Sequence, residues 1–282
     1  VVLNPVTLAC RLGTRQQRTG LPVLMPGRMP KGQFRCYRRP ARILVPSTPV
    51  REAVVRERPA FAPLVRTVGY PIDWTSLGAM ARRDPRCVTI GFVGRLHREK
   101  GLPLLAAAFR ELALRPLPPW RGLVCGPADI GRGGSGDDFL RELKAATPAQ
   151  VQFLEPVFTE ADLHRVYQEI DLFAYPSLAA QGETFGVAVA EAMAAGAVPV
   201  VSDLACFRDF VEHGRTGWRF DAASPGAEQR LADLLAERVR DAAAGQTLAA
   251  AARAAVRRYD FAVYADDLLR DFAQLTGGGR TP

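Results

Sequence analysis

Four charged residues in this chain have the types and spacing that could do chemistry. Arg95 and Lys100 lie in Gly91–Gly101, GFVGRLHREKG, and Glu183 and Glu191 lie in Gly182–Val201, GETFGVAVAEAMAAGAVPVV. Two cations held at the C-terminal end of a strand would stabilise a leaving group whose negative charge grows as a bond breaks. Lys100 would act as a mobile point charge and Arg95 as a planar fork. By residue type alone, two solvated turn cations and an ordinary Ala-rich helix carrying two glutamates remain open.

These residues need particular elements around them. A strand over Val88–Val93 ends just before Gly94, and a helix is expected over Leu102–Leu114. In the second stretch a loop carries Glu183, Thr184 and Phe185. A helix begins behind Gly186, and its glycine C-cap is Gly196. Ala197–Val201 then reads as a short buried strand. The alanines of this helix favour helix and let it lie close on a sheet, and its N-terminus offers N–H groups to an anion.

Around these stretches strands and helices alternate, the sign of a parallel α/β sheet. Further strands are expected at Arg42–Val45, Leu64–Val68, Gly122–Cys125, Val151–Leu154, Leu172–Tyr175 and Thr216–Phe220. Helices are expected at Pro49–Arg58, Asp137–Ala146, Glu160–Glu169 with Thr159 as N-cap, Phe207–His213, Ala223–Arg258 and Phe261–Leu275. Residues 1–40 carry too many Gly and Pro for long elements and suggest loops with one short helix near the start. Gly131–Gly136 spells G-x-G-x-x-G, but the preceding strand ends near Cys125, too far for the tight turn of a dinucleotide site, so a flexible loop is expected.

The Glu183–Glu191 stretch resembles the signature of retaining glycosyltransferases of family 4, and Gly94–Gly101 resembles the Gly-Arg…Glu-Lys-Gly segment of the same family. VQFLEP at 151–156 and IDLFAYPS at 170–177 are similar to its nucleobase-loop and Pro-Ser strands. The resemblance implies an α/β fold of GT-B type, with one complete Rossmann-like parallel-sheet domain plus part of a second. It covers about Arg42 to Leu275 and only the end of a first domain. It implies a partial acceptor-side domain over residues 1–69, a linker over 70–85, a nucleotide-sugar donor domain over 86–259 and a crossover helix and tail over 260–282. It also implies sugar transfer from a nucleotide-diphosphate sugar with retention, without cofactor or metal.

The resemblance implies the following roles, residue by residue. Arg95 and Lys100 clamp the diphosphate, with Gly94 beside them. Glu183 lies against the donor sugar. Phe185 and Gly186 meet the diphosphate through the backbone, and Thr184 and Val187 beside them belong to the donor-binding set. Glu191 holds the ribose, and Pro156 and Val157 line the base pocket. The acceptor-side histidine of the family has no counterpart, since His97, His164 and His213 all fall in the second domain. The chain is therefore expected to be a fragment, to work with a partner chain, or to be a non-catalytic nucleotide-sugar-binding subunit.

Composition narrows the partners. The net charge is +8, yet residues 1–66 alone hold thirteen Lys or Arg against two acids, so the rest of the chain is slightly acidic. Such a basic segment suits an anionic membrane surface, an anionic acceptor or nucleic acid. Nucleic acid is disfavoured because the region lacks interleaved aromatics for base stacking. Expected partners are a nucleotide-sugar, a glycan, lipid-linked or small-molecule acceptor, and peripheral contact with an anionic membrane. Five scattered cysteines without C-x-x-C pairs point to a reducing, cytoplasmic compartment and to no zinc site. No signal peptide and no membrane-length apolar run is visible.

Overall fold

The computed structural model describes residues 23–38, 40–78 and 87–275. They form two compact units. The first takes in the chain up to residue 71, Gln181–Phe185 and the chain from Arg258; the second takes in Ile72–Ala180 and Gly186–Arg257.

The second unit is built on six parallel strands. They are β4 (Val88–Val93), β5 (Trp120–Cys125), β6 (Val151–Leu154), β7 (Leu172–Tyr175), β8 (Val198–Ser202) and β9 (Trp218–Phe220), paired in the order β6-β5-β4-β7-β8-β9. All six residues of β4, VTIGFV, are buried. A near-continuous apolar run is what a central strand covered on both faces requires. Phe92 of β4 stacks on Tyr175 of β7 at 5.4 Å between ring centroids, and Phe173 stacks on Tyr175 at 5.8 Å.

Strand order reverses between β4 and β7. The chain leaves β4 in one direction through β5 and β6, then returns to add β7, β8 and β9 on the other side. Ligands of open parallel sheets bind outside the C-terminal ends of the strands at such a point. The turn over Gly94–Gly101 follows β4, and the loop leading to Gly182–Gly186 follows β7.

Helices cover this sheet. They are α3 (Leu102–Ala113), α4 (Asp137–Ala145), α5 (Glu160–Gln168), α6 (Val187–Ala194), α7 (Ala227–Arg240) and α8 (Ala242–Val256), preceded in the chain by α1 (Thr48–Glu57) and α2 (Trp74–Leu77). Helix α3 buries Leu102, Leu105, Ala106, Ala108, Phe109 and Leu112 and packs on α7. Val189, Ala190, Ala192, Met193 and Ala194 of α6 are buried, and their small side chains let α8 and β8 approach closely. The bounds of α6 are the glycines read from the sequence: Gly186 (φ 94°) precedes it and Gly196 (φ 89°) follows it. Thr159 caps α5 by accepting from Asp162 N–H at 3.1 Å.

The first unit holds a three-stranded parallel sheet of β1 (Val23–Leu24), β2 (Arg42–Val45) and β3 (Val65–Thr67), in that order. Residues of β2 alternate between two layers. Ile43 and Val45 pack with Phe34, Val50, Val54 and Phe61, whereas Leu44 packs with Val23, Val68 and Tyr264. Tyr264 belongs to α9 (Phe261–Leu275), whose Asp271 pairs with Arg42 at 2.9 Å and Arg66 at 3.3 Å.

Several expectations need correction. Val23–Leu24 is a strand inside a stretch read as loop; the parallel pairing with β2 makes it one despite the surrounding Pro and Gly. The short helix expected near the start lies outside the described residues. Phe207–His213 is only a 3-10 turn over Phe207–Asp209, and Ala223–Arg258 is two helices that part at Asp241. Within the stretch read as a linker, Trp74–Leu77 forms one helical turn pinned to the second unit. Trp74 Nε1–H donates to Arg253 O at 2.9 Å, and the Arg253 guanidinium lies 3.6 Å from the indole centroid.

Candidate active site

The site builds up from the end of β4. Beyond Gly94 the chain makes a 3-10 turn over Arg98–Lys100, and His97 caps it through Nδ1, which accepts from Glu99 N–H at 3.2 Å. At Gly101 the backbone takes φ 71°, and an added Cβ would stand 1.9 Å from the Pro176 carbonyl oxygen. Only glycine fits there, and its absence of a side chain lets the loop after β7 lie against the turn after β4. Leu178 N–H then donates to Glu99 O at 2.8 Å.

Arg95 and Lys100 share this turn but not their environments. The Arg95 side chain is 44% exposed; its Nη1 donates to Gly133 O at 2.8 Å and its Nη2 pairs with Glu99 Oε1 at 3.0 Å. Lys100 is 8% exposed, with Nζ 5.5 Å from the centroid of the Tyr175 ring. An ammonium over an aromatic face gains from the ring quadrupole, more so when desolvated. A cation that looks like a solvated turn residue in the sequence is therefore built into the strand end.

The G-x-G-x-x-G stretch is not a loose loop, as expected from the sequence, but a fastened one. Gly134 N–H donates to Asp129 O at 2.8 Å, Gly136 N–H to Ala128 O at 2.7 Å and Ser135 N–H to Leu96 O at 3.0 Å, and Ser135 Oγ accepts from Arg98 N–H at 3.1 Å. This loop presents the Gly133 carbonyl to Arg95. Its Arg132 guanidinium lies 4.0 Å from the centroid of the exposed Phe158 ring. Phe158 follows the half-buried Pro156 and Val157 in the loop after β6. The Cys125 thiol at the end of β5 donates to Glu155 O at 3.8 Å in that loop.

At the start of α6 an added Cβ on Gly186 would stand 2.4 Å from Phe207 Cε1, so the helix entry also requires glycine. Val187 is exposed at the first turn. One turn further, the half-buried Glu191 accepts a 2.8 Å hydrogen bond on Oε2 from the hydroxyl of Tyr167, a fully buried residue of α5. Burial raises the Glu191 pKa; the Tyr167 hydrogen bond opposes that, and the charge of Glu160 adds to it. The Tyr167 hydroxyl is pushed well up by burial and by the adjacent carboxylate.

Glu183, Thr184 and Phe185 belong to the first unit, so the signature stretch passes from one unit to the other between Phe185 and Gly186. Glu183 is 9% exposed. Thr184 Oγ1 donates to Gly27 O at 3.4 Å. The Phe185 ring is buried edge-on against Tyr70 at 5.7 Å and Tyr259 at 4.9 Å.

In the second unit Arg95 and Lys100 thus lie on one short segment after β4, each with its own partners, and Gly186, Val187 and Glu191 lie at one helix. Sequence reasoning missed Tyr167, Glu99 and the Gly133 carbonyl. Tyr167 reads as one more apolar position of an amphipathic helix, and a carbonyl partner leaves no mark in a residue type. Among the described residues no three His, Cys, Asp or Glu side chains converge to hold a metal ion. Among the same residues no helix is long and apolar enough to cross a membrane.

Comparison with known proteins bears on this arrangement. The phosphatidyl-myo-inositol mannosyltransferase of Mycobacterium tuberculosis is 32% identical over 74% of this chain and 53% of its own length. The D-inositol 3-phosphate glycosyltransferase of Segniliparus rotundus is 32% identical over 75% of this chain and 46% of its own length. The chain thus spans about half the length of these relatives. Among solved structures, Anabaena HepE in complex with UDP superposes with a TM-score of 0.78 over 95% of this chain and 76% of that one, at 20% identity. That likeness shows the fold, an α/β architecture of GT-B type. The model of the family described as glycosyl transferases group 1 matches residues 82–255, from just before β4 to the end of α8, and the chain belongs to that family.

Proposed function

We propose that this protein transfers a hexose from a nucleotide-diphosphate sugar to an acceptor hydroxyl, with retention of anomeric configuration. The observation that carries the proposal is the pair Arg95 and Lys100 on one turn at the C-terminal end of β4, where strand order reverses. Negative charge on the diphosphate is larger in the transition state than in the bound donor, so fixed cations there lower the barrier more than they tighten binding.

Glu183 orients the sugar, the backbone at Phe185 and Gly186 meets the diphosphate with Thr184 and Val187 beside it in the donor site, and Glu191 accepts from the ribose hydroxyls. Pro156 and Val157 border the base. As the bond from the anomeric carbon to the diphosphate breaks, the leaving oxygen takes the acceptor proton on the same face of the sugar, and the acceptor oxygen bonds to that carbon. The two cations carry the leaving charge, and no metal or cofactor is needed.

For the acceptor we propose an anionic inositol-bearing molecule. The names of the relatives from Mycobacterium tuberculosis and Segniliparus rotundus both specify inositol compounds that carry phosphate. The basic surplus of residues 1–66 suits such an acceptor, and suits peripheral contact with an anionic membrane at its cytoplasmic face. The deciding experiment is titration calorimetry with UDP, GDP and ADP. Binding of one of them at micromolar to millimolar concentration supports the donor site, and absence of heat with all three removes it.

A further inference from the structure

The buried hydroxyl of Tyr167 has no role in the reaction just described. We infer that Tyr167 is a positioning residue for donor recognition: its 2.8 Å hydrogen bond fixes the Glu191 carboxylate in the orientation that accepts from the ribose hydroxyls of the nucleotide. The inference rests on the donor-site reading given above.

Three observations carry it. First, Tyr167 is 1% exposed, and its ring packs on Phe173 with 6.0 Å between centroids. Packing alone would be served by phenylalanine, because a buried hydroxyl costs stability unless it is hydrogen-bonded. The partner of this hydroxyl is the carboxylate of Glu191.

Second, the bond joins two separately anchored elements. Tyr167 sits near the end of α5, whose start is capped by Thr159, and Glu191 sits on α6, whose entry is set by Gly186. A glutamate side chain turns about three bonds. Tying one of its oxygens to a buried, ring-locked hydroxyl removes most of that freedom before the ligand arrives, and a pre-paid orientation is worth binding energy.

Third, the donor capacity matches. The Tyr167 hydroxyl donates to Oε2 only, and Oε1 has no hydrogen bond among the described residues. Each carboxylate oxygen has two lone pairs. Oε1 and the remaining lone pair of Oε2 can therefore accept from the two vicinal hydroxyls of a ribose. The geometry would offer nothing to a nucleotide that lacks both.

The test measures affinity for the nucleoside diphosphate that binds and for its 2′,3′-dideoxy counterpart, in wild type, Tyr167→Phe, Glu191→Ala and the double variant. Wild type should prefer the ribo form. Tyr167→Phe should lose about a factor of ten of that preference, the scale of one hydrogen bond to a charged group, while dideoxy affinity stays near wild type. In the Glu191→Ala background Tyr167→Phe should change nothing further.

Equal weakening of ribo and dideoxy forms by Tyr167→Phe would make Tyr167 a packing residue and overturn the inference. So would an unchanged preference, or an undiminished effect of Tyr167→Phe in the double variant. In each of these cases the donor site itself stands. A wild type that binds diphosphates without preferring ribose removes the role of Glu191 and this inference with it. A wild type that binds none removes the donor site. Should Tyr167→Phe fail to fold, Glu191→Gln keeps an oxygen for the Tyr167 hydroxyl and should retain part of the ribose preference. The same loss as in Glu191→Ala would then overturn the inference.

Discussion

Arg95 donates a 2.8 Å hydrogen bond from Nη1 to the carbonyl oxygen of Gly133. With Glu99 holding Nη2 at 3.0 Å, the guanidinium is fixed in plane from two sides. A planar fork in a fixed orientation is not replaceable by an ammonium. Arg95→Ala and Arg95→Lys should therefore both lower kcat more than they raise KM. We expect a barrier increase of about 2.7–4 kcal/mol for Arg95→Ala, by analogy with removing one preorganised oxyanion donor, and incomplete rescue by lysine. Steady-state kinetics with the donor and its acceptor decide it. Wild-type kcat in Arg95→Ala would remove the cationic clamp.

The two glutamates should separate by ligand. Glu191 is on α6 of the second unit and Glu183 belongs to the first. Glu191→Ala is expected to weaken free nucleoside-diphosphate binding by about 1.5–3 kcal/mol, the scale of hydrogen bonds to a charged group. Glu183→Ala should leave free diphosphate binding near wild type and weaken only the intact nucleotide-sugar. Calorimetry with both ligands separates the roles, and an equal loss of diphosphate affinity in the two variants would refute the division.

Much of this arrangement was legible in the chain, and the exceptions share a cause. Val88–Val93 reads as a central strand because both faces are buried, and α6 is bounded by Gly186 and Gly196 because its entry and exit both need positive φ. Arg95 and Lys100 stand out because two cations follow a buried strand within one turn. What could not be read depends on partners distant in sequence. Val23–Leu24 is a strand only through its pairing with Arg42 and Ile43. Phe185 is held by Tyr70 and Tyr259, so the loop carrying Glu183 joins the first unit although its motif continues into the second. Lys100 is buried with its ammonium 5.5 Å from the centroid of the Tyr175 ring, a partner that no local pattern announces.

The contact of α9 with the first sheet gives a stability prediction. Asp271 is buried and bridges Arg42 at 2.9 Å and Arg66 at 3.3 Å. Removing Asp271 takes from Arg42 the carboxylate it pairs with, while Arg66 keeps Asp267 at 2.5 Å and both guanidinium groups stay partly solvated, so the cost falls below the figure of about 3–5 kcal/mol for a fully buried pair. Asp271→Ala should still lower the denaturation midpoint beyond a surface change such as Arg141→Ala, whose ion-pair partner Asp138 is 85% exposed. Chemical denaturation of the three proteins measures it, and equal midpoints for Asp271→Ala and wild type would show that the cluster contributes nothing to stability.

Glu191 gives the pH dependence. Burial raises its pKa, the Tyr167 hydrogen bond opposes the rise and Glu160 adds to it, and the net direction is upward. A carboxyl with a folded pKa above its unfolded one binds more protons in the folded state across the interval between the two values. Stability then falls as pH rises through that interval, because the folded state must give up a proton it holds more tightly. Below the interval the group is neutral in both states and costs nothing; above it the penalty is complete and constant. Glu191→Gln removes the titration while keeping an oxygen for the Tyr167 hydroxyl. We expect wild type to lose stability relative to Glu191→Gln as pH is raised from about 4, with the difference levelling off once the folded state has also given up the proton. Urea denaturation midpoints of both proteins across that range provide the measurement. Parallel pH profiles would mean that Glu191 keeps an ordinary carboxylate pKa, and a difference that grows toward acid would mean that its charge is stabilised in the fold.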